Sequence, residues 1–241
     1  MRLKDLLEKL KKKWQDVGYT CDVCDGEIFD YPVSRLCADC KKSLVENDGL
    51  ACPKCGRATV TEGVCLNCKK KLPLFDKGLS PYVYFDEVAG VINRLKSGRP
   101  YLSRFLGEQM ADRFLKEETP TENTVVVYVP LHREKRLSRG YDQAEKLAKV
   151  VADRLRLPLI PALVCVGKKE AQKELSLTER QKNVAGTYRV KVRKAVKDKR
   201  VLLIDDVMTT GATGSECADR LKRAGAAEVY FLTAASLPER K

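Results

Sequence analysis

The apolar residues in the C-terminal two thirds of the chain follow two alternating patterns. Short apolar runs typical of buried strands occur at 124–130, 200–205 and 228–234. Between them, apolar residues recur at helical spacing, as in a helix that buries one face. The clearest case is 143–155, where one face carries Ala144, Leu147, Ala148, Val151 and Leu155. Strands that alternate with helices predict an α/β fold, in which a largely parallel sheet has helices on both faces.

The predicted elements of this region follow a linker that runs from Pro73 to Pro81. Strands are predicted at 82–85, 124–130, 159–166, 186–192, 200–205 and 228–234. Helices are predicted at 87–96, 102–116, 143–155 and 215–224. Two polar and basic stretches, 131–140 and 167–184, are predicted to be loops between these elements.

The first 18 residues form a separate pattern. Their apolar side chains recur at helical spacing, at Leu3, Leu6, Leu7, Leu10, Trp14 and Val17. This predicts an amphipathic helix, which could lie on a membrane surface or meet acidic partners. Packing against the rest of the protein or a second subunit is the favoured interpretation, so an oligomer stays open. Three regions are thus predicted: a helix at 1–18, a cysteine-rich region at 19–76 and an α/β domain at 77–241.

Eight of the ten cysteines fall between Cys21 and Cys68, all of them in C-x-x-C pairs. The pairs form a repeat, because CDVCDG and CPKCGR begin 31 residues apart and CADCKK and CLNCKK begin 28 apart. Closely spaced C-x-x-C pairs are typical of tetrahedral zinc sites rather than of disulfides. His132 is the only histidine, so these sites must be all-cysteine and structural.

The repeat predicts two zinc ions, one for each copy of the unit. The first site would use Cys21, Cys24, Cys37 and Cys40. The second site would use Cys52, Cys55, Cys65 and Cys68. Interleaved pairing, in which the first and third C-x-x-C pairs share a metal, breaks the repeat but stays open. A glycine close after the leading pair would let the backbone turn so that its amides point at the thiolates.

The formal net charge of +13 is unevenly distributed along the chain. Residues 1–76 carry 14 basic and 12 acidic side chains, whereas the remaining 165 residues carry 32 and 21. Zinc-bound thiolates make the first region more negative, so the positive charge belongs to the α/β domain. No apolar run reaches the roughly 20 residues that span a bilayer, and the N-terminus lacks signal-peptide features. A cytoplasmic protein without a membrane span is therefore expected.

The most informative stretch is VLLIDDVMTTGAT, residues 201–213. Its apolar strand ends in Asp205 and Asp206 and continues into threonines around a glycine. Ligands of parallel sheets bind beyond the carboxyl ends of the strands, where this turn would lie. Glycine, hydroxyls and successive amides at a helix N-terminus form an anion site, and carboxylates accept hydrogen bonds from vicinal hydroxyls. Together they predict a ribose 5-phosphate ligand, and the chain has neither a P-loop nor a G-x-G-x-x-G pattern here.

This stretch resembles the phosphoribosyl-pyrophosphate (PRPP) loop of type I phosphoribosyltransferases. The resemblance implies the type I phosphoribosyltransferase fold, with Asp205 and Asp206 at the ribose and its Mg²⁺. It implies that Mg²⁺ neutralises the pyrophosphate leaving group. It also implies that one loop binds the 5-phosphate, formed by Thr209, Thr210, Gly211, Ala212 and Thr213.

Two further segments correspond to binding loops of these enzymes. The segment after strand 124–130 stands at the position of the pyrophosphate loop, with candidate contacts at Leu131, His132, Arg133 and Arg139. A solvated basic turn is the alternative interpretation. The stretch 167–184 corresponds to the mobile loop that closes over PRPP, with candidate contacts at Gln172, Ser176, Arg180 and Asn183. Polar residues that never meet the ligand are the alternative there.

The resemblance extends to the ComF family of competence-associated proteins, of the ComFC and GntX type. It is carried by VPLHREKRLSRGYDQAEKLA, QKELSLTERQKNVAGTY and the PRPP motif. An N-terminal zinc ribbon region is part of the family pattern, so the resemblance covers almost the whole chain. The chain departs from the common Arg-Gly-Phe-Asn-Gln motif at Asp142 of RGYDQ. The family implies handling of imported DNA in natural transformation, with single-stranded DNA and competence-machinery proteins as candidate partners.

Three functional hypotheses follow. The favoured one is a phosphoribosyltransferase with an unknown acceptor; Thr209 stands where 6-oxopurine salvage enzymes carry an aspartate, which argues against hypoxanthine or guanine. The alternative is a non-catalytic nucleic-acid-binding competence factor whose PRPP site is regulatory or binds a nucleotide 5-phosphate. Residues 168–200 favour it with 12 basic against 4 acidic side chains, although Tyr188 is their only aromatic residue. A structural adaptor built on zinc ribbons is the third, and it predicts no PRPP binding.

Overall fold

The computed structural model describes residues 20–28, 36–167 and 186–239. The helix predicted at 1–18 lies outside these ranges. So do the four candidate mobile-loop residues, Gln172, Ser176, Arg180 and Asn183. The described residues form two compact units, one before Val45 and one from Val45 onward.

The described residues of the first unit form one short helix, α1 (Ala38–Ser43), and an isolated antiparallel bridge between Thr20 and Glu27. In the second unit they form six α-helices: α2 (Leu66–Lys70), α3 (Asp86–Lys96), α4 (Leu102–Glu117), α5 (Arg133–Arg139), α6 (Gln143–Leu155) and α7 (Ala212–Arg223). The strands described there are β1 (Lys77–Leu79), β2 (Tyr82–Val83), β3 (Thr124–Tyr128), β4 (Leu163–Cys165), β5 (Tyr188–Val190), β6 (Arg200–Met208) and β7 (Glu228–Ser236).

The main sheet of the second unit has five strands in the order β1-β7-β6-β3, with β2 also pairing to β7. All of these pairings are parallel. Ile204 of β6 lies in register with Tyr128 of β3 on one side and Leu232 of β7 on the other. The strands β4 and β5 form a separate antiparallel pair. The predicted α/β fold with a largely parallel sheet is confirmed, and its carboxyl-terminal edge collects the ends of β3, β6 and β7.

The core follows the hydrophobic pattern of the sequence. The four residues Val201 to Ile204 of the central strand β6 have no exposed surface, because both faces of the sheet are covered. On α6 the predicted apolar face is buried, and Asp142 caps the helix by accepting from the N–H groups of Ala144 and Glu145. The predicted helix 143–155 is therefore confirmed to the residue.

The predicted linker from Pro73 to Pro81 is wrong. Phe75 is fully buried and packs on Phe231 at 5.3 Å between ring centroids, and β1 follows it in the sheet. The sequence pattern predicts a linker here because β1 is only three residues long and contains Gly78. The basic segment predicted as a loop at 131–140 instead contains α5. The division at 18 and 76 remains a prediction about domain organisation.

The residues around the second cysteine cluster pack directly against β1. A Cβ atom on Gly56 would lie 2.2 Å from the carbonyl O of Gly78, and one on Gly78 would lie 2.4 Å from that of Cys55. The N–H of Gly78 donates to the carbonyl of Lys54 at 2.9 Å. The four cysteines share one buried cluster with core residues of the sheet, including Val201 and Phe231.

Within the described ranges, no helix has the length and apolar character needed to cross a membrane.

The substitution Gly78→Ala tests the close contact with the cysteine cluster. The new Cβ would overlap the Cys55 carbonyl, a backbone group that cannot swing away, so we expect a loss of about 2 kcal/mol or more in unfolding free energy. The matched control is Gly90→Ala in α3, where a Cβ meets nothing within 4 Å. That change should stabilise the protein by about 0.5–1 kcal/mol. Urea denaturation measures both, and equal stability of the two variants would contradict the packing described.

Candidate functional site

The acidic pair lies inside the central strand rather than after it. Strand β6 continues through Asp205 and Asp206 to Met208. Since successive side chains of a strand start toward opposite faces, the two carboxylates would approach a ligand at the carboxyl edge from the two sides of the sheet. Asp205 is half-buried and its Oδ1 accepts from the N–H of Asp206 at 2.8 Å, whereas Asp206 is buried.

Asp206 forms an ion pair that the sequence did not predict. The ammonium Nζ of Lys96, at the end of α3, lies 3.2 Å from Asp206 Oδ2. This oxygen has no hydrogen bond of good geometry within the described residues, so the contact is electrostatic. The side chain of Asp206 is only 9% exposed, so the nearby cation offsets the cost of burying its charge. The acidic pair therefore has a cation bound beside it before any ligand arrives.

The end of α3 is also bound to the RGYDQ motif. The hydroxyl of Tyr141 donates to the carbonyl of Leu95 and accepts from the N–H of Gly98 at 3.0 Å. These bonds fix the helix end that carries Lys96. No local pattern reveals this contact, because Lys96 and Asp206 are distant in sequence and only the sheet topology brings them together.

The threonine-rich stretch forms a turn that opens helix α7. Gly211 has φ +80° and ψ 0°, a left-handed conformation that favours glycine, and α7 begins at Ala212. The hydroxyl of Thr210 accepts from the N–H of Ala212 at 3.3 Å. Thr209 is exposed, and Thr213 lies in the first helical turn. The first amides of a helix lack intrahelical partners and attract anions, so this turn can bind a phosphate.

The segment predicted to hold pyrophosphate is arranged around Asp142. The N–H of Leu131 donates to Asp142 Oδ2 at 2.6 Å, so this amide is engaged within the protein. His132 precedes α5, Arg133 is exposed on it, and Arg139 donates to Gln143 at its end.

Burial raises the pKa of Asp142, and the amides of Leu131, Glu145 and Ala144 oppose that rise. An aspartate suits this position because both of its oxygens accept from backbone N–H groups, where an asparagine would offer one acceptor. The departure from the common family motif thus has a structural reason.

The eight paired cysteines form two groups, in sequential rather than interleaved order. One group is Cys21, Cys24, Cys37 and Cys40, and the other is Cys52, Cys55, Cys65 and Cys68. In each group all sulfurs lie within 4.8 Å of one another. The Sγ–Sγ distance is 3.8 Å between Cys24 and Cys37 and 3.6 Å between Cys55 and Cys65. Tetrahedral thiolates at the usual Zn–S distance stand about 3.8 Å apart, so both groups fit a zinc ion.

Backbone amides point at the sulfurs, as the repeat predicted. In the first group the N–H of Gly26 lies 3.4 Å from Cys24 Sγ. The left-handed conformation falls on Asp25 in the first repeat and on Gly56 in the second, the residue directly after the cysteine in both. The two groups differ in burial, since all four cysteines of the second are buried and only Cys21 of the first is.

Arg57 lies between the second cysteine group and the threonine-rich turn. The side chain of Cys68 has the largest effect on Cys55 and lowers its pKa, burial raises it, and the N–H and guanidinium of Arg57 lower it further, to about 5. The same guanidinium donates through Nη2 to the carbonyl O of Thr209 at 2.8 Å.

Comparison with known proteins places this arrangement in a family context. Residues 141–241 match the phosphoribosyl transferase domain family. Competence protein F of Haemophilus influenzae is 27% identical over 220 residues, which cover 88% of this chain and 94% of that protein. Competence protein ComFC of Bacillus subtilis is 29% identical over 210 residues, covering 80% and 84%. The chain is thus similar over most of its length to two proteins named as competence proteins.

A further similar protein is the DNA utilization protein YhgH of Escherichia coli, 29% identical over 211 residues that cover 80% of this chain and 87% of that protein. The matched family region contains β6, the threonine-rich turn and α7. The C-terminal part of the chain is therefore similar to phosphoribosyltransferase domains, and the N-terminal part contains two four-cysteine groups.

Substitution of one cysteine in each group tests their different environments. Cys52→Ser should lower the melting temperature of the second unit by on the order of 10 °C, because this group shares the core of the sheet. Cys21→Ser should leave that transition unchanged, because its group belongs to the other compact unit. Calorimetry measures the melting, and elemental analysis should find two zinc ions in the wild type and one in each variant. One metal ion per fully loaded wild-type chain would contradict two sites.

Proposed function

We propose that this chain binds PRPP with Mg²⁺ and transfers its phosphoribosyl group to an acceptor. The supporting observation is the continuity of β6, its acidic pair, the turn at Gly211 and the N-terminus of α7. Asp205 and Asp206 would accept from the ribose hydroxyls. Residues Thr209 to Thr213 would bind the 5-phosphate through amides and hydroxyls. The phosphoribosyltransferase domain match over this region supports the same assignment.

The chemistry of transfer asks the protein to position and neutralise charge rather than to supply a strong nucleophile. As pyrophosphate leaves, the ribose C1 becomes cation-like, and fixed negative charge beside the ring favours that state. In the proposed site the aspartates fix the ribose and the loop fixes the phosphate, so that C1 stays aligned. Mg²⁺, when bound with PRPP, would supply charge neutralisation of the pyrophosphate. Lys96 then balances the charge of Asp206 within the protein.

The pyrophosphate contacts remain a proposal at His132, Arg133 and Arg139. Leu131 is a weaker candidate, because its N–H already donates to Asp142. Lys135 and Arg136 are exposed on α5 beside Arg133, which gives this helix several cations near the end of β3. Positive charge at the carboxyl edge of a sheet suits a polyanionic leaving group.

The relatives are called competence proteins and a DNA utilization protein, and we propose that this chain also acts in the handling of DNA. One observation favours direct contact with nucleic acid. The stretch from Arg189 to Lys197 contains five exposed basic side chains, and no acidic residue stands within it. Sequence-independent contacts with phosphates need such a surface. Single-stranded DNA and proteins of the competence machinery are the proposed partners, and zinc is the proposed metal of both cysteine groups.

The double substitution Asp205→Asn with Asp206→Asn tests PRPP binding. Removing two charged acceptors should weaken PRPP binding about a hundredfold or more. The protein should stay folded, since the amides keep the shape and Lys96, whose side chain is 28% exposed, can turn to solvent. Isothermal titration calorimetry with PRPP and Mg²⁺ measures affinity, and a thermal melt reports folding. Glu122→Gln, an exposed position before β3, is the control.

A folded double mutant that binds PRPP as tightly as the wild type would remove the acidic pair from the site. Absence of PRPP binding by the wild type would instead favour a structural adaptor. Release of pyrophosphate on addition of a candidate acceptor would separate transfer from binding alone.

Nucleic-acid binding should be independent of sequence and sensitive to salt. We expect affinity for single-stranded DNA to fall on the order of tenfold or more between about 50 and 200 mM salt, because cations on DNA are released on binding. Charge reversal at Arg193 and Lys194 should weaken binding more than reversal at Lys41 and Lys42 of α1, since the α/β domain holds the positive charge. Fluorescence anisotropy with labelled oligonucleotides checks both. Salt-independent affinity, or equal effects of the two reversals, would contradict this view.

A further inference from the structure

Arg57 connects the second cysteine group to the loop of the proposed PRPP site. Its Nη2 donates to the carbonyl O of Thr209 at 2.8 Å, across 152 residues of sequence. Its N–H and guanidinium also lower the pKa of the Cys55 thiol, so the cation stands near that sulfur. Its own carbonyl accepts from the N–H of Cys52 at 2.9 Å. A single residue is therefore bonded both to a metal-ligand residue and to the loop.

The guanidinium of Arg57 is held in a buried place. The residue is 3% exposed, and its Nε has no hydrogen-bond partner among the described residues. Burying a cation is costly unless negative charge stands beside it. The four cysteine thiolates with one Zn²⁺ would carry a net charge of about −2. This negative charge would lie beside the guanidinium of Arg57. The fork of an arginine, unlike the single ammonium of a lysine, can reach sulfur and carbonyl at once.

The backbone next to Arg57 is held against the sheet by close contacts. The residue before it, Gly56, touches the backbone of Gly78 in β1 without room for a side chain on either. The carbonyl of Gly56 also accepts from the amide of Asn47 at 2.7 Å, and the same amide reaches Ser80. Because β1 pairs with β7, these contacts fix the backbone that carries the guanidinium relative to the main sheet.

The hydrogen bond to Thr209 sets the direction of a peptide in the loop. A peptide group is planar and its N–H points opposite to its C=O. With the carbonyl of Thr209 turned toward Arg57, the N–H of Thr210 points away from the cysteine group. The next residue, Gly211, is backed by Phe75, whose ring would lie 3.7 Å from an added Cβ. The loop is thus supported from one side by residues that precede β1.

We propose that Arg57 is a positioning residue of the PRPP site, orienting the loop from Thr209 to Gly211 from the second metal cluster. This inference rests on the proposed PRPP binding and deepens it. The metal cluster is then a structural part of the sugar-phosphate site. Loss of its metal would leave the loop from Thr209 to Gly211 in the wrong orientation for the phosphate.

The first repeat provides a comparison within the chain. Gly26 and Arg57 occupy equivalent places, since each stands two residues after the second cysteine of its pair. Both carbonyls accept from the first cysteine of the pair, at 2.6 Å for Gly26 and 2.9 Å for Arg57. The local fold therefore needs no side chain at this position. The arginine of the second repeat serves a contact outside the metal unit, which is the contact with Thr209.

The test compares Arg57→Ala and Arg57→Lys with Lys54→Ala. Lys54 lies in the same CPKCGR segment, but its Nζ donates to the carbonyl of Asp76 rather than to the loop. Arg57→Ala should keep two zinc ions and a cooperative melt, while its dissociation constant for PRPP with Mg²⁺ rises about ten- to hundredfold. Arg57→Lys should lie between it and the wild type, and Lys54→Ala should bind as the wild type does.

Chemical rescue separates positioning from general stability. Millimolar methylguanidinium, which fits the space left by the side chain, should restore part of the PRPP affinity of Arg57→Ala and leave Lys54→Ala unchanged. The amide resonance of Thr210 in a nitrogen-15 spectrum should move in Arg57→Ala and return with methylguanidinium.

Each result has one meaning. If the wild type does not bind PRPP, the proposed function is wrong and this inference falls with it. If the wild type binds and a zinc-loaded Arg57→Ala binds equally well, only the inference is wrong. If Arg57→Ala and Arg57→Lys both lose zinc and rescue fails, Arg57 maintains the metal unit and does not position the loop. Weakened binding with zinc retained and rescue by methylguanidinium supports the proposal.

Discussion

The backbone contact between Gly56 and Gly78 leaves no room for a side chain on either residue, and much of the second unit is arranged around it. Strand β1 is an edge strand whose N–H groups would otherwise face solvent, and the segment around Cys55 covers it. The turn around the metal cysteines forms part of that covering surface. Metal binding, sheet completion and the support of the threonine-rich turn are therefore linked through one short stretch of chain.

The proposed ligand site lies within the phosphoribosyltransferase match, but two residues that contact it lie outside that match. The match begins at residue 141, yet the ion pair with Asp206 comes from Lys96 and the bond to Thr209 from Arg57. Both are cations brought from earlier segments to groups at the end of β6. Positive charge within the protein stabilises both the acidic pair and the carbonyl of Thr209. The cations approach from inside the protein, so the solvent side of these groups stays open for a ligand. The N-terminal half of the chain thus contributes to the site through charge and support.

Local patterns predicted the elements whose stability is decided by their own residues. The helix 143–155 has a continuous apolar face and an aspartate cap, and its bounds followed from these. Strand β1 could not be predicted, because three residues containing a glycine become a strand only through pairing with β7. The motif of β6 identified the acidic pair, but the predicted strand ends at residue 205, whereas β6 continues to Met208. The contacts of Lys96 and Arg57 leave no periodic signal, since each depends on topology.

The two cysteine repeats show how one local structure can serve two purposes. Their backbone bonds across the turn and their left-handed residues agree, so the metal geometry is set locally by the C-x-x-C spacing. Their burial differs, and burial is set by what the unit packs against. Cys24 of the first group is exposed to solvent and to competing ligands, whereas the second group is closed by the core of the sheet. Once a repeat is enclosed in this way, a side chain added at the position of Gly26, as at Arg57, can reach a loop of the neighbouring fold. A metal unit of this kind folds by itself around its cysteines. When a second copy is also enclosed by the core of a neighbouring sheet, it can support a binding site as well.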